Sequence, residues 1–249
     1  MRNDGPRARV HSDMSRLTLF VPVLLAVACG PSADRVDGRS AVAPPGVAAP
    51  AAPAGARDTG AARLPTIVIL GDSLTAGLGL PVDQAYPALL QARLDEAGLA
   101  YHVVNAGVSG DTSAGGLRRL DWVLDDTVAV LVIGLGANDG LRGLPVEEMQ
   151  QNLRTIIRRA KAKGATVVLA GMEAPPNYGP AYTAAFRQAF RDLARDEQVA
   201  LIPFLLDGVA GDAALNQGDG IHPNQAGARI VEQNVWTVLQ TFVMAAGTR

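Results

Sequence analysis

Five short apolar runs alternate with helix-length amphipathic stretches, and this alternation leaves the chain few folds to choose from. The runs cover residues 66–70, 101–105, 128–133, 166–170 and 200–204. Helices are predicted from Tyr86-Pro87 to near Gly98, over 112–123, from Pro145 to Gly164, over 180–197, and from near Asn224 onward. Strands that alternate with helices build a parallel sheet covered on both faces. Right-handed crossovers make 2-1-3-4-5 the simplest strand order. The expected fold is therefore α/β, a three-layer α/β/α arrangement around a flavodoxin-like five-stranded parallel sheet. The run 128–133 is apolar without a break, as suits a central strand. In the stretch after Pro145, Val146, Met149, Leu153, Ile156, Ile157 and Ala160 share one face. Glu147 and Glu148 stand in its first turn and Lys161 and Lys163 in its last, in line with the helix dipole, and Gly164 stops it. Tyr182, Phe186, Phe190 and Leu193 are expected to face inward from the next helix. Ile230, Val231, Val235, Leu239 and Phe242 are expected to do so from the last.

The part of the chain before this pattern has a different character. Residues 1–13 are polar and basic, and 17–28 form a mostly apolar run. That run is too short to span a bilayer but has the length of a signal-peptide core. It ends Leu25-Ala26-Val27-Ala28-Cys29-Gly30, which resembles a bacterial lipoprotein signal, in which the cysteine is lipidated and becomes the mature N-terminus. Ala26 stands where that motif usually has Leu, and ordinary cleavage after Ala28, or a cytosolic protein with an unusual leader, is the alternative. Met14 offers a more conventional start for the leader. Residues 30–63 are rich in Ala, Pro and Gly, too poor in large apolar groups to offset ordering entropy, and read as a disordered tether. The expected organisation is a signal peptide over 1–29, a tether over 30–63 and a folded domain over 64–249, exported to the bacterial periplasm or cell envelope and held to a membrane through lipid on Cys29. A single cysteine excludes an internal disulfide and a thiolate-rich metal cluster. A net charge of -2 with scattered Lys and Arg gives no nucleic-acid footprint.

The first strand delivers a serine. Gly71-Asp72-Ser73-Leu74-Thr75 follows the run 66–70, at the carboxyl end of a strand, where open α/β sheets bind their ligands. Gly-Asp-Ser also suits an ordinary turn. A nucleophile needs a base, and the chain has three histidines, His11, His102 and His222. His11 precedes the leader, and His102 starts the second strand at the amino edge of the sheet. His222 sits in Asp219-Gly220-Ile221-His222-Pro223-Asn224, where a carboxylate three residues away can hold the imidazole in one tautomer. The same residues also suit a helix-capping turn. Two further loops carry candidate donors for a negative oxygen. Asn138 follows the third strand in Leu135-Gly136-Ala137-Asn138-Asp139-Gly140, a sequence that equally suits a tight turn. Gly110 follows the second in Gly107-Val108-Ser109-Gly110-Asp111-Thr112, where Asp111 or Thr112 alternatively caps a helix. The 2-1-3 order brings these loops together.

These four blocks, in this order, resemble the SGNH (GDSL) hydrolase superfamily over the whole domain, and within it the bacterial branch of multifunctional thioesterase, lysophospholipase and arylesterase enzymes. The closer likeness lies in 109–113, 136–143 and 219–224. The resemblance implies Ser73 as nucleophile, His222 as base and Asp219 as its orienter. It implies an oxyanion hole made of the Ser73 and Gly110 N–H groups and the Asn138 amide. It also implies an acyl pocket flanked by 140–145 and 175–179, with Leu141, Leu144, Pro175 and Pro176 as candidate substrate contacts. The expected activity is hydrolysis of a small-molecule acyl ester or thioester, with no metal and no cofactor. A cell-envelope carbohydrate O-deacetylase and a non-catalytic tethered binding lipoprotein are the alternatives. Nucleotide binding is disfavoured, because Asp139 stands where a dinucleotide loop has its last glycine and no phosphate-loop motif occurs.

Overall fold

In the computed structural model, which describes residues 64–246, the five apolar runs form one parallel sheet in the order β2-β1-β3-β4-β5. The strands are β1 (Thr66–Gly71), β2 (His102–Gly107), β3 (Val128–Gly134), β4 (Thr166–Ala170) and β5 (Ala200–Ile202). Every residue of β1 is buried, as is nearly all of β3, as their unbroken apolar character requires of strands covered on both faces. β2 lies at one edge and is half exposed. The helices are α1 (Ser73–Ala76), α2 (Tyr86–Glu96), α3 (Ser113–Arg118), α4 (Leu120–Val123), α5 (Ala137–Leu141), α6 (Val146–Ala162), α7 (Pro180–Asp196) and α8 (Gln225–Ala246). α2 packs against α8, while α6 packs against α3 and α7. With right-handed crossovers these are the two outer layers. The leader, the lipidation of Cys29, the tether and the choice of Met14 as start all fall on residues outside the described ones.

Local chemistry explains where the elements depart from expectation. The single helix expected over 112–123 is two, α3 and α4, with Arg119 between them at φ -102, ψ 6. Gly115 and Gly116 weaken the helix there, and the break frees the Arg119 side chain to reach back toward β1. β5 stops at Ile202 and not at Phe204, since Pro203 has no N–H to continue the ladder. The Asn138 turn is the short helix α5. Along α6, Val146, Met149, Leu153, Ile156, Ile157 and Ala160 are all buried, but the helix ends at Ala162, so Arg159 and Lys161 occupy its last turn. Tyr182, Ile230 and Phe242 are only half-buried, at the margins of the core.

Candidate active site

The carboxyl end of β1 sets the position of the serine. Gly71 ends β1 beside Gly134 of β3. A Cβ on Gly71 would lie 1.9 Å from Thr75 Oγ1 and 3.1 Å from the Gly134 carbonyl, so a side chain here would force the turn open. Asp72 then caps α1, its Oδ1 accepting the Leu74 N–H at 3.0 Å. Ser73 is the first residue of that helix, where a backbone N–H has no partner within the helix.

His222 comes to Ser73 from the far end of the chain. Its Nε2 lies 2.9 Å from Ser73 Oγ, and its Nδ1 lies 2.7 Å from Asp219 Oδ2. An ionised carboxylate can only accept, so Nδ1 carries the proton and Nε2 turns its lone pair to the hydroxyl. The other carboxylate oxygen, Asp219 Oδ1, accepts the N–H groups of His222 (3.0 Å) and Ile221 (2.9 Å). Those bonds, that of His222 first, together with the His222 ring, hold the Asp219 carboxyl well below the usual carboxylate range. Gln217 fastens this loop to the segment after α1. Its N–H donates to the His222 carbonyl at 2.8 Å, and its Nε2 donates to the carbonyls of Leu78 (2.7 Å) and Pro223 (3.0 Å).

Two more loops complete the site. After β2, the Val108 N–H donates to the Gly71 carbonyl and the Asp111 N–H closes a tight turn onto the Val108 carbonyl, both at 3.0 Å. Gly110 occupies that turn at φ +82, a left-handed conformation that favours glycine. The turn's closing bond uses the N–H of Asp111 and not that of Gly110. After β3, Asn138 Nδ2 donates to the Asp111 carbonyl at 3.0 Å and to Asp72 Oδ2 at 3.3 Å, which places its amide between the loops of β1 and β2. The neighbouring Asp139 carboxylate is buried and accepts the N–H (2.8 Å) and hydroxyl (2.6 Å) of Ser113, whose Oγ also accepts from Asn152 at 3.1 Å. Burial pushes the Asp72 carboxyl up to about 6, against the pull of the Leu74 N–H.

Ser73, Gly110, Asn138 and His222 all line one cavity of about 320 Å³, at the small end of the range for small-molecule sites. Its apolar wall includes Leu74, Leu78, Leu141, Met172, Pro175 and Ile221. Of the expected substrate contacts, Leu141 and Pro175 are in this wall. Leu144 and Pro176 are not in the wall. The Leu144 backbone turns toward α7, its carbonyl accepting the Tyr182 hydroxyl at 2.7 Å, and Pro176 is exposed in a 3-10 turn over Pro176–Tyr178. His102 lines a separate depression at the amino ends of β1, β2 and β3. Among the described residues no group of three or more His, Cys, Asp or Glu side chains is placed to hold a metal ion. Among the supporting groups, sequence reasoning offers Asp111 only as a helix cap and Asp139 only as evidence against a dinucleotide loop, and it does not single out Asp72, Arg119 or Asn152. Asp72, Asp111 and Asp139 sit inside the motifs and had that signal; Arg119 and Asn152 sit outside them.

A hydroxyl, an imidazole and a carboxylate in line at the carboxyl end of a parallel sheet define a serine hydrolase of the α/β/α type. The chain belongs to the GDSL-like lipase/acylhydrolase family, whose model matches residues 69–230, and it is an esterase of that family. It is 48% identical over 179 residues to an esterase, TesA, of Pseudomonas aeruginosa, covering 72% of this chain and 89% of that protein. It is 41% identical over 166 residues to the thioesterase 1/protease 1/lysophospholipase L1 of Escherichia coli, covering 66% of this chain and 78% of that one. The crystal structure of a TesA superposes with a TM-score of 0.69 at 47% identity, covering 71% of this chain and 99% of that chain.

Proposed function

We propose that this protein hydrolyses carboxylic esters and thioesters through an acyl-enzyme on Ser73, with aryl esters, acyl thioesters and lysophospholipids as its substrate classes. His222 Nε2 takes the Ser73 proton as Oγ attacks the carbonyl carbon. The oxyanion that forms faces the N–H groups of Ser73 and Gly110 and the Asn138 amide. One Asn138 hydrogen is engaged by the Asp111 carbonyl; the other is on the longer 3.3 Å contact to Asp72, and this is the one available to the oxyanion. The tetrahedral intermediate collapses, and the leaving alkoxide or thiolate receives the proton from His222. Water then attacks acyl-Ser73, giving its proton to His222, and collapse releases the carboxylic acid and returns the proton to Ser73 Oγ. Asp219 keeps the ring oriented and stabilises the imidazolium. The apolar wall of the cavity favours an acyl chain longer than acetyl, which separates this reading from carbohydrate O-deacetylation.

The observation that carries the reading is the 2.9 Å contact between His222 Nε2 and Ser73 Oγ, with Asp219 behind the ring. Ser73→Ala is expected to abolish hydrolysis of p-nitrophenyl esters and labelling by a fluorophosphonate, and retained turnover would remove Ser73 from its role. Asn138→Ala is expected to lower turnover by about 10²–10³. A panel of acyl chain lengths completes the test, since preference for acetyl over longer chains would favour the deacetylase. The leader and Cys29 further support export to the bacterial cell envelope and attachment there through lipid.

A further inference from the structure

We propose that Arg119 is a positioning residue that holds the three donors of the oxyanion hole in register. Arg119 stands at the break between α3 and α4, in none of the four family blocks. Its side chain is 13% exposed and that of its partner Asp111 is 17% exposed. Arg119 Nε donates to Asp111 Oδ2 at 2.6 Å, and Nη2 donates to the Gly71 carbonyl at 2.9 Å. One planar guanidinium thus joins two loops. The Gly71 carbonyl lies two residues before Ser73 and also accepts the Val108 N–H at 3.0 Å, at the start of the turn that presents Gly110. Asp111 ends that same turn, and its carbonyl accepts the Asn138 amide at 3.0 Å. Each donor is therefore within two residues of a group that Arg119 touches, or is bonded to such a residue.

The geometry needs this residue type. Two acceptors on different loops are met by two N–H groups whose spacing the guanidinium fixes. A lysine ammonium is one point on a flexible stem and lacks that fixed fork. Arg142 also reaches the loop, donating through Nη2 to the Gly110 carbonyl at 2.9 Å, but that contact is exposed and solvent-screened. Arg119 touches no reacting atom. Its effect runs through donor placement, which matters most where charge develops on the oxygen.

This inference rests on the acyl-enzyme reading, and the test separates the two. In the full chain, Arg119→Lys and Arg119→Ala are expected to lower kcat for p-nitrophenyl butyrate by about 10–100-fold, with KM within about twofold. Affinity for an alkylboronic acid, which forms a tetrahedral adduct on Ser73, is expected to fall by the same factor as kcat. Guanidinium at sub-denaturing concentration is expected to restore part of the loss in Arg119→Ala and none in Arg119→Lys, whose side chain still fills the site. Arg118→Ala, one residue away on the exposed side, is the unaffected control. Rates are normalised to Ser73 sites titrated with a fluorophosphonate, so that a smaller folded fraction does not count as a slower enzyme. If Arg119→Ala does not fold, Arg119→Lys and Asp111→Asn carry the test, with losses in the same direction. Normal kcat and boronate affinity in Arg119→Lys overturn the proposal, as does a loss that vanishes on normalisation. A wild-type chain whose Ser73 takes no fluorophosphonate sinks the hydrolase reading and this proposal with it. Wild-type labelling with unaltered Arg119→Lys kinetics sinks the proposal alone.

Discussion

Asp72 shows how one side chain serves the site at a cost to the fold. It is 1% exposed, caps α1 through Oδ1 and faces the Asn138 amide through Oδ2. Burial raises its carboxyl from 3.8 to about 6. In the folded state this group holds a proton between about pH 4 and pH 6 that the unfolded chain releases. Its contribution to stability is therefore fully present below the unfolded value and is lost as pH rises through about 6. The gap corresponds to at most about 3 kcal/mol. Asn at this position keeps an acceptor for the Leu74 N–H and does not ionise. The expected result for Asp72→Asn is that its stability relative to the wild type improves between pH 4 and pH 8 by up to about 3 kcal/mol, measured by urea denaturation at both pH values. A difference independent of pH would show that Asp72 is ionised at no extra cost in the folded protein. The motif makes Asp72 visible as a residue, but its burial belongs to the packed β1–α1 corner and has no trace in the sequence.

At the scale of the elements, α6 is the clearest case of pattern becoming structure. The six apolar positions read from the sequence all reach the core, because a 3.6-residue period places them on one face and β4 and α7 wait beneath it. Leu153 and Ile157 are 0% exposed there. Leu153→Ala is expected to destabilise the protein by about 2–5 kcal/mol, while Glu147→Ala on the exposed side is expected to stay within about 0.5 kcal/mol. Thermal or urea unfolding checks both, and similar losses at the two positions would mean that α6 does not bury this face. Periodicity has less to say where elements are held by long-range polar contacts. Glu197, 7% exposed just after α7, accepts from Arg154 and Arg158 of α6, and Lys161 donates to its carbonyl at 2.7 Å. The hydrogen bond from Arg158 and the nearby positive charges hold the Glu197 carboxyl below its ordinary value, against the opposing effect of burial. A run of Arg and Lys on a helix reads as a solvated face, and nothing local says that a carboxylate from the next helix will sit among them. The α3–α4 break is similar: Gly115 and Gly116 weaken the helix locally, but the partner that Arg119 reaches from the break, the Gly71 carbonyl of β1, lies nearly fifty positions earlier in the chain.

Across the whole molecule, the site assembles groups from residue 72 to residue 222, and only the sheet order makes them neighbours. That much was legible, because alternation gives the order, the order gives the converging loops, and the four blocks each carry one loop's chemistry. The second layer of contacts was not, because Arg119 and Asn152 earn their places by distance in space and carry no local pattern. Among the described residues, those that line the site's cavity lie within residues 72–222, so chemistry and location can be tested separately. If Cys29 is the lipid attachment point, Cys29→Ser is expected to move the protein from the membrane to the soluble envelope fraction of a bacterial host, with kcat on a soluble p-nitrophenyl ester unchanged within about twofold, since the residues proposed to carry the reaction all come from later in the sequence. Fractionation with mass measurement of the mature N-terminus checks the first part and ester kinetics the second. A Cys29→Ser protein that stays in the membrane fraction would exclude Cys29 as the anchor. A soluble variant with a large loss of kcat would mean that the leader region reaches the chemistry after all. The useful contrast is between substrates. A soluble ester reaches free and anchored enzyme alike, whereas a lysophospholipid held in the same membrane as the anchor is met at a higher effective concentration. Cys29→Ser is therefore expected to lose more activity on membrane-held lysophospholipid than on p-nitrophenyl ester, and equal losses on the two would count against an anchor that matters for the reaction.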